Sequence, residues 1–378
     1  MYSPNERIRL KRLIFGNAVE FDLQSCTESI ALASELSLYP AVSEGANASL
    51  RVTNSIDRVV QPLATNPAIH LDLPDGFIAK FGKTSFQFSF SREHLTQVHY
   101  QSELQPGWIY PALQRLRSSQ FTSYAETIGQ RVSELLLVPS VFFDPDKAIL
   151  HATALEGPDG GAILIGGTGG VGKTSSQLSL CMNHNYKFLS DDIVVVDGHG
   201  TAWPNFAFPK IYAYNVVNNP EIRERLFRDM GPIDRLHWAT RQQLAPASLR
   251  RRINPEKLYD GTLGRNSPLR RYVILVRDNT DAIYSRPISI ELATELSLSI
   301  LKTEYGVFFQ HLHWHQVNRN IQGREPILTV ARLFERWREL LPGILEGVTC
   351  EAIHVPQSVD HIKFRRDIIP FLTGNGPH

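Results

Sequence analysis

The chain has 378 residues, 42% of them apolar and 20% charged, with a formal net charge of +1. That length points to two domains and that composition to a soluble globular protein. Near-neutrality removes any global electrostatic case for nucleic acid or an anionic membrane as partner. Three widely spaced cysteines, Cys26, Cys181 and Cys350, suit a reducing cytosol and supply neither a disulfide framework nor a metal set. The N-terminal stretch lacks the apolar core and cleavage site of a signal peptide, and no window approaches the roughly 18 apolar residues of a membrane span. A cytoplasmic protein is the expectation.

Residues 1 to about 105 read as strands and turns. Phe86, Phe88 and Phe90 alternate with polar residues as a half-buried strand requires, and Pro74-Asp75-Gly76 makes the turn before them. No basic residue interleaves with these phenylalanines, so core packing explains them better than base stacking. Helical spacing follows at 111–118 and 122–137, with Tyr124, Ile128, Val132, Leu135 and Leu136 on one face. Pro139 and Asp144-Pro145-Asp146 then break the chain. The break predicts a smaller α+β domain over 1–140 and a second domain over 141–373.

The second domain opens with an apolar strand, Ala148 to Leu155, then a turn at 157–161 and a strand from Ala162 to Gly166. So short a turn makes the two strands antiparallel neighbours. Counting outward from it sets His151 opposite the Gly167 region, a position equally compatible with a packed strand histidine. The second strand runs into Gly167-Thr168-Gly169-Gly170-Val171-Gly172-Lys173-Thr174, which fits G-x-x-x-x-G-K-[ST] at every fixed position. Its glycines let the backbone bend tightly and aim several N–H groups at phosphates. A helix from Lys173 adds its positive end. Lys173 is placed for the β- and γ-phosphates of ATP and the Thr174 hydroxyl for Mg²⁺, with Ser175 completing the nucleotide-binding set.

Leu178, Cys181 and Met182 give that helix an apolar side. A strand at 186–189 ends in Ser190-Asp191-Asp192, and Ile193 to Val196 forms the next. Carboxylates at a strand end after such a helix are where phosphoryl-transfer sites hold Mg²⁺ and polarise the nucleophile; the alternative is a solvated acidic turn. Adjacent strand residues face opposite ways, so the two aspartates are expected in different roles.

Between residues 221 and 271 twelve basic residues stand against six acidic ones. Such an excess could hold nucleotide phosphates, through Arg250-Arg251-Arg252 above all, or dock an acidic partner, or be a solvated helical insertion. Tyr272 to Val276 and Ala282 to Tyr284 read as a hairpin. Helices are expected at 290–302, 327–341 and 358–371, a short strand within 347–355, and an unstructured tail from Gly374. His311, His313 and His315 would share one face of a strand. With no acidic residue in the run, no metal site is assigned to them.

A histidine on a strand, a hairpin, a Walker A loop and an Asp-Asp pair eighteen residues past the loop lysine form a distinctive set. The set resembles the catalytic domain of the HPr kinase/phosphorylase family and its HPr kinase-like relatives. At a greater distance it is similar to ATP-dependent phosphoenolpyruvate carboxykinases. The resemblance implies an α/β P-loop domain with a mixed sheet. It also implies Mg²⁺- and ATP-dependent transfer of a γ-phosphate to a hydroxyl, with serine of a protein or peptide as first choice. On this reading His151 and Lys173 match the family's histidine and loop lysine, and Thr174 its Mg²⁺-binding hydroxyl. Asp192 matches the general base, and Asp191 its partner or a metal ligand. The match covers about residues 149–196 and loosely 272–284.

Two departures point away from HPr itself and from the phosphorylase reaction. Ser175 stands where the true HPr enzymes usually carry glutamate. After Asp192 the chain reads Trp203-Pro204-Asn205-Phe206-Ala207-Phe208-Pro209-Lys210 in place of a glycine-rich signature with a metal-binding glutamate. A small-molecule acceptor and a non-catalytic ATP-binding regulatory module stay open as alternatives. The rings formed by the relatives imply a homo-oligomer.

Overall fold

A computed structural model describes residues 6–43, 45–54, 61–66, 68–102, 118–121 and 124–374. The helix expected at 111–118, all but its last residue, and the tail after Gly374 lie outside them. The chain divides into two compact units. The first comprises 1–115, 123–145 and 305–337; the second comprises 116–122, 146–304 and 338–378. The expected break near residue 140 falls inside the first unit, whose second segment ends at 145. Residues 305–337, expected in the second domain, belong to the first unit instead. Among the described residues no helix is long and apolar enough to cross a membrane.

In the first unit, β1 (Arg7–Ile14), β2 (Asn17–Gln24), β3 (Leu50–Thr53), β4 (Ala64–Asn66), β5 (His70–Leu73), β6 (Gly76–Phe81), β7 (Thr84–Ser91) and β8 (His94–Ser102) form one sheet. Its order is β1-β2-β3-β8-β7-β6-β5-β4. Phe86, Phe88 and Phe90 alternate on β7 and are all buried, and Leu73 pairs with Gly76 across the Pro74-Asp75 turn. The helix expected over 122–137 runs from Tyr124 to Val132 and continues as a wider turn through Ser133–Leu137.

The histidine run is not a strand. It lies on a helix, Gly306–Ile321, whose buried face carries Phe308, Leu312, His315 and Arg319 at helical spacing. His311 is buried beside them while His313 is exposed. The 3.6-residue period of the large buried groups outweighs the two-residue alternation of the histidines.

The second unit holds β9 (Lys147–Leu150), β10 (Ala152–Glu156), β11 (Ala162–Gly166), β12 (Lys187–Ser190), β13 (Val194–Asp197) and β14 (Thr201–Trp203). Then come β15 (Lys210–Tyr212), β16 (Arg250–Arg252), β17 (Ser267–Asp278), β18 (Tyr284–Pro287) and β19 (Thr349–Pro356). Nine of them build a mixed sheet in the order β12-β10-β11-β17-β14-β13-β9, with β19 on β17 and β18 on β19; β15 and β16 pair apart. β17 runs parallel to β11 and to β19.

Two strand expectations need correction. The span Ala148 to Leu155 is two strands, broken at His151. The pair at 272–284 is not a hairpin, because β19 pairs on β17 and β18 joins beyond it. β17 is apolar and buried at Val273 to Leu275, which suits a central strand. β18 is short, polar and closed by Pro287, which suits an edge.

The helices expected at 290–302, 327–341 and 358–371 run over Ile290–Glu304, Val330–Ile344 and His361–Asp367 followed by Ile369–Leu372. The core under the loop is apolar: Leu155, Ile165, Val171, Leu180, Val273 and Phe364 are among its members.

Candidate active site

The site begins as a fault in the sheet. β9 pairs with β13, ending at Leu150 opposite Val194, and β10 pairs with β12, where Ala154 lies opposite Ser190. Both strand pairs break at the same level. One chain crosses the break at His151 and the other at Asp191-Asp192-Ile193. A strand's side chains alternate strictly, so only an interruption lets successive groups from two chains turn toward one space. Buried Asn205 secures the second break: its N–H donates to the Leu189 carbonyl and its Nδ2 to the Ile193 carbonyl. Behind it, Thr153 Oγ1 and Gln177 Nε2 both donate to the Ser190 carbonyl, at 2.7 and 2.6 Å.

The loop from Gly167 to Thr174 joins β11 to the helix Lys173–Asn183. Gly172 has φ +113°, and a Cβ there would stand 2.4 Å from the Phe364 ring, so only glycine fits. Val171 anchors the loop in the core, while the Gly167 and Thr168 carbonyls accept from Lys173 Nζ at 2.7 and 3.0 Å. Lys173 also donates to His151 Nε2 at 3.1 Å. That ring nitrogen is therefore an acceptor. Burial lowers the His151 pKa against the pull of Asp192, which keeps the ring neutral at pH 7. Burial lowers the Lys173 pKa too, opposed by Asp192, Asp191 and Glu304. The helix buries Lys173, Ser175, Ser176, Gln177, Leu178 and Leu180. Cys181 and Met182, expected on its apolar side, are only partly buried.

The two aspartates meet different partners. Asp191 Oδ1 accepts from the Thr174 hydroxyl at 2.9 Å and Oδ2 from the Lys210 N–H at 3.3 Å. Burial, with Asp192 beside it, pushes the Asp191 carboxyl up to about 6. Asp192 has a side chain 51% exposed; its Oδ1 lies 3.8 Å from His151 Nε2 and its Oδ2 3.6 Å from Lys210 Nζ. Desolvation raises the Asp192 pKa, but the ammonium groups of Lys210 and Lys173 together outweigh it and hold the carboxyl below its ordinary value. One carboxylate is thus tied to the loop hydroxyl, and the other stays ionised and open to solvent. The Thr174 and Asp191 oxygens are hard donors of the kind Mg²⁺ takes, and a cation there would draw the Asp191 pKa back toward its ordinary range.

Sequence reasoning missed several members of the site. Lys210 arrives on β15 and stands beside both aspartates. Glu304 accepts the Gly169 N–H at 2.9 Å, so a carboxylate is seated on the loop's anion-binding face. Asn215 and His361 were missed as well: Ser175, expected in the nucleotide-binding set, is buried, accepts from Asn215 Nδ2 at 2.9 Å and lies 3.5 Å from His361 Nε2. None of these has a local signal, because each partner comes from a distant segment.

The three consecutive arginines are engaged elsewhere, contrary to the expectation that they could hold phosphates. Arg250 donates to Gln120 and Tyr212, Arg251 to the Ser119 carbonyl and His237, and Arg252 lies over the Phe208 ring. Pairing of β16 with β15 fixes them there.

In the first unit, His70, Asp72 and His315 place ligand-type atoms within 4.8 Å of one another, all buried. Their hydrogen bonds do not suit a metal. The Ile327 N–H donates to His315 Nε2, so Nδ1 carries the proton and donates it to Asp72 at 2.6 Å. Arg319, 3.1 Å from the other Asp72 oxygen, already neutralises that carboxylate.

No family model matches the chain, and no curated protein matches it. Among solved structures, one described as the Hpr(Ser) kinase/phosphatase from Coxiella burnetii is similar at 12% identity, over 61% of this chain and 99% of that one. Its TM-score is 0.25, too low to carry an argument.

Proposed function

We propose that the protein is an ATP-dependent kinase that transfers the γ-phosphate to a hydroxyl, with serine of a protein or peptide as acceptor. The second unit would serve as an HPr kinase-like P-loop catalytic domain. The observation that carries this reading is the solvent-open Asp192 carboxylate, flanked by His151 and Lys210, next to a complete phosphate-binding loop. A binding module needs the loop but has no use for an ionised base beside it.

The loop N–H groups and Lys173 would hold the phosphates. Thr174 and Asp191 would hold Mg²⁺, which when bound neutralises charge on the phosphate oxygens. Asp192 accepts the proton of the acceptor hydroxyl as its oxygen bonds to phosphorus and the bond to the ADP oxygen breaks. His151, neutral, takes a hydrogen bond from Lys173 and so positions both groups. The Glu304 carboxylate must give up the Gly169 N–H when a phosphate oxygen takes that donor.

The test is mass spectrometry of copurifying proteins and of a serine-peptide mixture after incubation with Mg·ATP, run for wild type, Lys173→Ala and Asp192→Asn. A phosphate added by wild type alone supports the reading. Tight, Lys173-dependent nucleotide binding with no transfer to any hydroxyl would overturn it.

A further inference from the structure

The arginine-rich segment is not absorbed by the site, and its charges are sorted in a way that calls for an occupant. Helices Pro220–Phe227 and Pro232–Leu244 flank a groove of about 700 Å³. Its apolar wall includes Val217, Phe227 and Trp238, and its rim carries Arg223, Arg228 and Arg235, with Glu224 as the acidic exception. Just outside the groove, basic groups are paired: Arg225 bridges Glu221 and Asp260, and Lys257 meets Asp229. At the rim they are not. Among the described residues Arg223 rests on the Phe227 ring, Arg235 donates only to the Phe227 and Met230 carbonyls, and none of the three has a carboxylate within ion-pair distance.

The second helix also turns Ile233, Leu236 and Leu244 outward, exposed at 64%, 69% and 76%. These positions lie on one face at helical spacing. They face away from Arg235 and Trp238, so it is the groove itself, an apolar pocket rimmed by arginines that meet no carboxylate, that marks an interaction surface.

We propose that this helix pair binds an acidic peptide segment of a partner protein, one apolar side chain of which enters the groove while its carboxylates meet Arg223, Arg228 and Arg235. Arginine suits this use, since its planar fork binds carboxylate in a fixed geometry. The surface lies beyond the phosphoryl-transfer reading and does not depend on it.

The probe is a short fluorescein-labelled peptide of alternating Asp and Glu with a central Leu, titrated into the full chain without nucleotide and followed by anisotropy. Controls replace the acids by lysine, or the Leu by Ser. Binding of the acidic Leu peptide, weakened by salt and reduced about tenfold or more by Arg228→Glu with Arg235→Glu, is the expected result. The same binding should survive Lys173→Ala, which separates this surface from the nucleotide site. Val217→Asp, at an exposed position, should weaken it without unfolding the chain. Equal binding of the lysine peptide, indifference to the Arg variants, or no binding would overturn the proposal. So would sedimentation showing that the groove instead joins two copies of the chain, abolished by Val217→Asp.

Discussion

At Asp192 the carboxylate meets Lys210 at 3.6 Å and His151 at 3.8 Å, whereas one residue earlier Asp191 meets a hydroxyl and an N–H. The first environment keeps charge and the second resists it, so two identical side chains acquire two chemistries. Asp192→Asn should leave the nucleotide Kd within about twofold while lowering transfer by about 10² to 10⁴, the usual worth of a general base. A loss of binding equal to the loss of turnover would remove Asp192 from that role. Glu304 makes the opposite prediction. Removing a carboxylate that competes with phosphate for Gly169 should tighten nucleotide binding by about threefold to tenfold, or roughly 1 kcal/mol, in Glu304→Ala. Titration with a fluorescent ATP analogue decides it.

The elements show how much could be read beforehand. The loop, the short hairpin into it and the Asp-Asp pair were legible because each is a local pattern. Counting along the hairpin brought His151 beside the loop. What the count could not show is that the strand breaks there, since a break depends on β13 and β12 pairing with different partners. Glu304 was out of reach for a related reason: it is 135 residues from the glycine it contacts. The His311–His315 run misled because alternate histidines satisfy a period of two, while Phe308, Leu312 and Arg319 set the true period.

Two predictions belong to the elements. Gly172→Ala should destabilise the second unit by about 1–3 kcal/mol, through its positive φ and the Phe364 ring, and lower the urea midpoint. In the first unit, burial lowers His70 to about 3 and His311 to about 4. The folded form therefore binds fewer protons than the unfolded chain below pH 6.5. Stability is full above that pH and falls as pH drops toward 4, by about 1.4 kcal/mol per pH unit for each histidine. Urea unfolding at pH 7 and pH 5 should show the loss, and His70→Leu should reduce it.

For the molecule as a whole, the chain builds two units from interleaved segments, and only one of them carries the loop. Mg·ADP at roughly 100 times its Kd should stabilise that unit by about 2.7 kcal/mol. A thermal scan should show the shift in wild type and lose it in Lys173→Ala.

The paired break in the sheet has one more consequence. The pairing of β9 with β13, Leu150 opposite Val194, brings His151 to Asp192, but the loop reaches them only through β10 and its partner β11, where Ala152 lies opposite Gly166. On the kinase reading, competence for phosphoryl transfer is a coincidence detector for folding: it needs both halves of the sheet closed, and a partly assembled chain would be silent.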